Sequence, residues 1–358
     1  MRKPGYSLPA PLLAGLFLIL ASPALRAEEA PSPRPEKVVV YTAAAATTAV
    51  LPLLTALNEG WPRDAGGGTV EREVSEWKNL DDLRSLLLAG KGDVWAGHLE
   101  TFARAAARGA PVRLISVCSW RKFYFVSAPL PLEAGAASRV PKNPAELARY
   151  LSGNKLPLPA APRNSPAAGI LAALAQKGGP AFSAEGYPGT QLLLELASGR
   201  IDAALLPEPL ASAALEKNPA LKIVGNLEEE YARAAGGPPE LPQAGVAVNR
   251  DFAREFPELT VSLMDALKSA GKKLQRLSPE ELVRLLPEST RENLGLTALE
   301  NSFSRDPVRV ENAADLALDI SRFLKIAAPD LFGADDSPSP LPRDFIFRGG
   351  DASAPEGL

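Results

Sequence analysis

Residues 86–98 read LLLAGKGDVWAGH, and residues 194–207 read LELASGRIDAALLP. Each run closes a leucine-rich segment with a glycine, Gly90 or Gly199, and sets an aspartate, Asp93 or Asp202, three residues later. A short apolar run follows in both. The two units share one offset, since 199 − 90 and 202 − 93 both give 109. A leucine-rich run ended by glycine reads as a helix finished in the left-handed region, which glycine enters without a Cβ penalty. The apolar run after the aspartate has the length and composition of a buried strand. A chain that repeats helix–Gly–x–x–Asp–strand–helix predicts two α/β halves whose equivalent loops face each other. In open α/β sheets, ligands sit beyond the carboxyl ends of the strands, where helix N-termini present free N–H groups. Two such halves make a cleft.

The remaining composition suits this reading. At 358 residues, 46% hydrophobic and 23% charged, the chain can bury a substantial core. A net charge of −3 gives no basic surface for nucleic acid. Residues 1–27 have the pattern of a cleavable secretory signal: Arg2 and Lys3, then the ten-residue apolar run LLAGLFLILA (residues 12–21), then Ser22, Ala24 and Ala27. Cleavage after Ala24 fits the small-residue rule better than cleavage after Ala27, where Leu25 is large for its position. A retained membrane anchor is the alternative. Residues 28–36 form a Pro-rich linker. Cys118 is the sole cysteine, so the chain can form no internal disulfide and no cysteine-based zinc site. It alternates with apolar neighbours, as a buried small hydrophobe does.

Along the chain, residues 37–42 read as a buried strand and 49–58 as a helix, with Thr47 or Thr48 as its cap. Asn79 opens a helix to Ala89, and strand 93–96 leads to helix 100–108. Residues 112–117 and 123–127 are strands. Asn143-Pro144 opens the next helix. Pro157 and Pro159 demote residues 155–161 to an edge or irregular strand. A helix from Ser165, one through 192–197, strand 201–206 and a helix from Pro209 repeat the alternation. Strand 245–249 is followed by helices at 257–274, 279–286 and 313–325. Beyond about residue 335 no periodicity remains, and a surface-draped or disordered tail is expected.

At this point the chain resembles the periplasmic solute-binding proteins of ABC importers, of the nitrate, sulfonate and taurine type. The resemblance rests on Gly92-Asp-Val-Trp-Ala-Gly97, Arg108-Gly-Ala-Pro-Val-Arg-Leu-Ile115, Gly199-Arg-Ile-Asp-Ala-Ala-Leu-Leu-Pro-Glu-Pro209 and Gly245-Val-Ala-Val-Asn-Arg-Asp-Phe-Ala-Arg-Glu-Phe-Pro257, in that order. It covers residues 38 to about 274. It implies a two-lobed α/β fold of the periplasmic binding protein kind, each lobe a mixed, mainly parallel sheet flanked by helices. Lobe one would comprise residues 37–126 and 246–330, lobe two 127–245, and the tail 331–358, with crossings near Phe125 and Gly245. It further implies a monomer in the periplasm that holds a small solute between its lobes and passes it to a membrane permease, with no nucleic-acid partner and no cofactor. The polar loop at 98–100, the prolines in strand 155–161 and the extra tail depart from the family pattern.

Candidate ligand-binding residues follow from the loops that would face the cleft. Thr42, Thr47 and Thr48 lie between the first strand and its helix, where they either meet an anion or cap the helix. His98 and Glu100 hold the equivalent loop of the echo unit. Trp120 and Arg121 follow a strand, with Arg121 either a fork for an oxyanion or, with Lys122, a solvated turn. Asn164 and Ser165 precede a helix of lobe two, Glu208 stands between Pro207 and Pro209, and Gln243 lies at the second crossing. Asp93 and Asp202 read as turn residues. Enzyme readings lack their parts: one histidine, no Gly-x-Ser-x-Gly elbow, no dinucleotide or phosphate-binding glycine loop, and too few histidines for a multi-histidine metal site. Two alternatives to a receptor stay open: a cleft enzyme on the same architecture, as in some menaquinone-pathway and pyrimidine-synthesis proteins, or a sensory or assembly partner that has lost its solute.

Overall fold

The two echo units lie in two different sheets. The computed structural model describes residues 34–44, 48–63, 68–133, 135–332 and 341–349. The expected signal segment and Thr47 fall outside these residues. In chain order, the first sheet is built from β1 (Lys37–Ala43), α1 (Leu51–Asn58), β2 (Glu71–Trp77), α2 (Leu80–Leu88), β3 (Val94–His98), α3 (Leu99–Ala107) and β4 (Val112–Ser119). The second is built from β5 (Phe123–Ser127), α4 (Pro144–Gly153), β6 (Leu158–Ala160), α5 (Ala167–Gln176), β7 (Ala184–Gly186), α6 (Gly189–Ala197), β8 (Ala203–Pro207), α7 (Leu210–Lys217), β9 (Lys222–Asn226) and α8 (Leu227–Ala235). The chain then returns through β10 (Ala244–Asn249), α9 (Arg250–Glu255), α10 (Pro257–Leu274), α11 (Pro279–Arg284), α12 (Glu288–Leu294), α13 (Leu296–Arg305), β11 (Glu311–Asn312) and α14 (Ala317–Ala327).

The strand orders are β11-β4-β10-β3-β1-β2 and β7-β6-β8-β5-β9. Leaving β11 aside, they are one arrangement used twice. β1, β2 and β3 correspond to β6, β7 and β8, and one antiparallel strand from the far end of the other half, β10 or β5, is inserted beside β3 or β8. This is the two-lobed, mixed α/β fold that the echo predicts. The two aspartates hold matching places. The main-chain carbonyl of Asp93 accepts from Asn249 N at 2.8 Å, and that of Asp202 accepts from Ala128 N at 2.7 Å. Gly90 and Gly199 both end their helices in the left-handed region, at φ 62° and 69°. The Asp93 side chain also accepts from Val39 N at 2.7 Å, so it secures a turn.

Strand periodicity decides which side chains enter which core. Val38, Val40, Val94, Ala96, Val246 and Val248 face α1 and α10 on one side of the first sheet, while Trp95, Leu114 and Ala247 face α2 and α3 on the other. In the second sheet Phe123, Phe125 and Leu205 join that latter core, and Tyr124, Val126 and Leu206 face α6 and α7.

Several expectations are corrected. The chain passes between sheets at residues 120–122, so β5 pairs in the second sheet and the crossing lies ahead of Phe125. Helices α11 to α13 do not stay with the first sheet: Leu282, Leu294, Leu299 and Phe303 share a core with α6, α7 and β8. β6 is internal rather than an edge, but it is cut to Leu158–Ala160 and irregular, as the second alternative had it: the ladder steps over Pro159, with Leu158 N donating to Ser183 O at 2.7 Å and Ala161 N to Leu205 O at 3.0 Å. β2 gives no pattern in sequence, since nearly all of it is exposed at the sheet edge and its register comes from backbone pairing to β1. In the described part of the tail, residues 341–349, the chain packs into the fold. Phe345 and Phe347 are buried, Leu114 N donates to Phe345 O at 2.7 Å, and Phe347 N donates back to Leu114 O at 3.0 Å. The FIF segment thereby covers the open edge of β4.

Gly245 marks the bulge where β10 meets β4, and a Cβ there would lie 1.9 Å from Ser116 O. Gly245→Ala is therefore expected to destabilise by about 2 kcal/mol or more. Gly153→Ala, whose Cβ would meet nothing within 4 Å, should stay within about 0.5 kcal/mol of the parent. Urea unfolding of the two variants checks the contrast.

Candidate functional site

A cavity of about 620 Å³ lies between the two sheets. It is lined at the carboxyl ends of β1 (Ala43, Ala44), β2 (Trp77, Lys78) and β3 (Ala96–His98) on one side, and after β6, β7 and β8 (Pro162, Pro188, Pro207–Pro209) on the other. Its volume is in the range of small-molecule sites. The lining is largely apolar, and five helix starts contribute to it: Val50 of α1, Asn79 of α2, His98 of α3, Gly189 of α6 and Pro209 of α7. Asn79 already caps α2, accepting from Asp81 N and Asp82 N at 3.0 Å each. The starts of α1, α3 and α6 have no side-chain cap. At α3 the first N–H is already used, Leu99 N donating to Gln243 O at 2.9 Å, so what these starts offer an anion is their remaining first-turn N–H groups and positive dipole ends.

The buried cation of the cleft is Lys122, in the passage between β4 and β5. Its side chain lines the cavity with only 7% of the residue exposed. No side-chain hydrogen bond or ion pair to it occurs among the described residues. Burial pulls its ammonium below the usual lysine range, while Asp306, Glu208 and Glu228 act in the opposite sense and favour its charge. An ammonium at the foot of a cleft, near carboxylates but bonded to none, is a partner for a bound anion. In sequence it is hidden by its neighbour: of the pair Arg121-Lys122, the arginine reads as the fork. Arg121 is instead ion-paired with Glu229. The available signal was position, since Lys122 directly heads a fully buried strand.

The eleven candidates separate into several groups. His98 and Glu208 line the cleft. His98 is buried, and burial, then Lys122 and Arg84, push its pKa down to about 3, so the ring is neutral. Its Nδ1 has no partner among the described residues, so it lacks the orienting carboxylate of a catalytic triad. Glu208 is turned to structure: it accepts from Ser212 Oγ at 3.0 Å, Ser212 N at 3.2 Å and Arg305 at 3.1 Å. Burial outweighs these partners and raises its pKa.

Thr42 is buried opposite Glu76 in the β1–β2 ladder, outside the lining. Thr48 does not cap α1. Its hydroxyl donates to Asp306 at 2.5 Å, beside Ser119 Oγ at 3.1 Å. Trp120 lies under the Arg309 guanidinium, 3.8 Å from the ring centroid. Glu100, Asn164 and Ser165 line a separate groove with Arg84 and Arg104, where Glu100 pairs with Arg104 and Arg84 donates to Asn164 O at 3.1 Å. Gln243 is fully buried and donates to Glu228.

Glu228, in the first turn of α8, is the junction of the two passages. It accepts from Lys122 N at 2.9 Å and Phe123 N at 3.2 Å on one passage, and from the Gln243 amide on the other. Burial, opposed by these backbone N–H groups, pushes it up to about 7. Arg305 and Asp306 form a third link. Arg305 bonds Glu208 of the second half, and Asp306 bonds Thr48 and Ser119 of the first.

No protein-family model matches the sequence, and no curated protein does either. Solved structures do match in fold. An ABC transporter protein from Parabacteroides distasonis superposes with a TM-score of 0.62 at 17% identity, covering 87% of this chain and 99% of that one. The alkanesulfonate-binding protein SsuA from Xanthomonas axonopodis pv. citri, bound to MOPS, gives 0.62 at 17% identity over 88% and 100%. The periplasmic nitrate-binding protein NrtA from Synechocystis gives 0.56 at 14% identity over 75% and 69%. The chain thus has the two-lobed fold of ABC-type periplasmic binding proteins, as the sequence motifs suggest.

Arg305→Ala leaves Glu208 buried without its cation and should cost about 3 kcal/mol. Glu208→Gln combined with Arg305→Ala should cost less than the two single changes added together. A double-mutant cycle by urea unfolding measures the coupling.

Proposed function

We propose that this protein is an exported solute-binding receptor of an ABC importer. It captures a small organic anion of sulfonate-like character in the cleft and delivers it to a membrane permease as a monomer in the periplasm. The observation that carries this reading is the unbonded Lys122 ammonium at the base of a cavity of about 620 Å³ with uncapped helix starts around it. The ammonium would pair with the anionic head, and the N–H groups of α1, α3 and α6 would replace its water. Trp77, Leu80, Leu210 and the lining prolines would pack on an organic body. A four-atom ion such as nitrate would leave most of this space unfilled, which favours the organic anion. Solute binding would draw the two halves together about the passages at residues 120–122 and 236–243.

The fold supports the receptor role, as do the nitrate- and alkanesulfonate-binding proteins that share it. The open cavity weighs against a partner that has lost its solute. The neutral, unoriented His98 weighs against a cleft enzyme.

A thermal-shift screen with nitrate, methanesulfonate, hexanesulfonate, taurine and benzoate tests the reading. A binder at about 100 times its dissociation constant adds about 2.7 kcal/mol of stability. Lys122→Met should weaken the best binder roughly 10- to 150-fold, the range for a hydrogen bond to a charged group. Absence of any shift across the panel, or full binding by Lys122→Met, would reject it.

A further inference from the structure

We propose that an anion enters the cleft together with a proton, and that Glu228 is the group that takes the proton up. This rests on the receptor reading and adds a co-bound species to it.

The charge balance beneath the cleft makes the case. Glu208, Glu228 and Asp306 are all buried and all act on Lys122. Glu208 has its own cation in Arg305, at 3.1 Å. Arg121 is taken by Glu229, and His98 is uncharged. Glu228 and Asp306 are therefore left with one ammonium between them. The base of the cleft carries a surplus negative charge of its own, and an anion docked on Lys122 would add another. Burying that excess is costly, and protonating one carboxylate removes it.

Geometry selects Glu228. Gln243 donates its amide to this carboxylate, while Gln243 Oε1 is buried with no partner among the described residues. Turning the amide over presents Oε1 to a protonated Glu228, so the new O–H finds an acceptor already in place. Asp306 is held by hydroxyls instead: it accepts from Thr48 and Ser119, both on one oxygen, so its proton would have to turn a donor it already uses, and its Oδ1 is buried with no partner among the described residues. Both carboxyls are raised by burial, and Glu228 reaches about 7, the point at which a nearby charge decides its state. Tyr124, also close to these carboxylates, is held far above neutrality by burial and stays protonated. Because Glu228 accepts from both passages, the proton arrives at the pivot between the halves.

The pH window follows. A bound anion raises the Glu228 pKa above its free value of about 7. Below pH 7 both states hold the proton, and affinity is highest and flat. Above pH 7 only the bound state holds it, so affinity falls as pH rises, by at most about tenfold per pH unit.

Calorimetric titration with methanesulfonate and hexanesulfonate tests this in Tris and in triethanolamine, cationic buffers that do not compete for the site. At pH 8 the difference in binding enthalpy between the buffers should correspond to uptake of up to about one proton per anion. Glu228→Gln should show no uptake and an affinity that is level from pH 7 to 9, and Asp306→Asn should retain uptake. Binding by the parent protein with no uptake and no change from pH 6 to 8.5 overturns the proposal while leaving the receptor intact, and needs no variant to fold. Uptake that survives in Glu228→Gln, or vanishes only in Asp306→Asn, also overturns it. Absence of binding at pH 6 removes the receptor reading itself.

Discussion

One buried carboxylate holds the two passages between the sheets against each other. Glu228 receives two main-chain N–H groups from the outgoing passage and a side-chain amide from the returning one. These segments have left one ladder and not yet joined the next, so their N–H groups need a partner that the strands cannot give. A carboxylate with several acceptor sites in the first turn of a helix meets that need, and the helix dipole supports its charge. The position of Lys122 follows from it. With its N–H fixed on Glu228 and its C=O accepting from Glu208 N at 2.8 Å, the lysine has one direction left for its side chain, into the cleft.

The helices beyond α10 turn this arrangement into a three-point link. Had they stayed on the first sheet, the halves would be joined by two strands alone. Instead α11 and α13 pack on the second core, and the chain returns through Arg305-Asp306, whose opposite charges bond opposite halves. An exchange of partners would bury Asp306 beside Glu208 and leave Arg305 facing the Thr48 and Ser119 hydroxyls without a carboxylate, so the link also disfavours a slip of the chain here. Thr48 and Ser119, ordinary in sequence, are drawn in because Asp306 needs donors.

How much was legible depends on whether a feature is local. The glycines that end α2 and α6, the Asn79 cap and the run 257–274 are set by neighbouring residues, and each stands where the pattern put it. The repeated unit gave the two-sheet plan because its period survives in the chain. β2 was invisible, since an exposed edge strand of mixed charge leaves no alternation. FIF near the end was passed over because three residues are too short for a period, although Phe345 and Phe347 are buried. The site was less legible than the fold. Thr42 belongs to strand β1, Glu100 to the first turn of α3 and Gln243 to the returning passage, and all three stand outside the lining. Whether a loop residue meets the cleft depends on distant partners: Glu229 claims Arg121, Arg305 claims Glu208, and Lys122 is left over.

On the proposed receptor reading, what is left over would set which solutes the cleft favours. His98 stands beside Lys122 and would double the positive charge if protonated, but burial and that same lysine keep it neutral. Lys78 and Arg163 line the cavity too, yet both are exposed, and Arg163 donates to Gly186 O at 3.1 Å, so neither is a desolvated partner. The remaining positive ends are helix dipoles, each worth a fraction of a charge. A dianion would bring a second full charge to a base that already holds unneutralised carboxylate, with only partial charges to meet it. A monoanion needs one ammonium and a few N–H groups, and its organic body can lie against Trp77 and Leu210. On that reading, the same balance of burial and charge that suppresses the histidine would favour singly charged solutes.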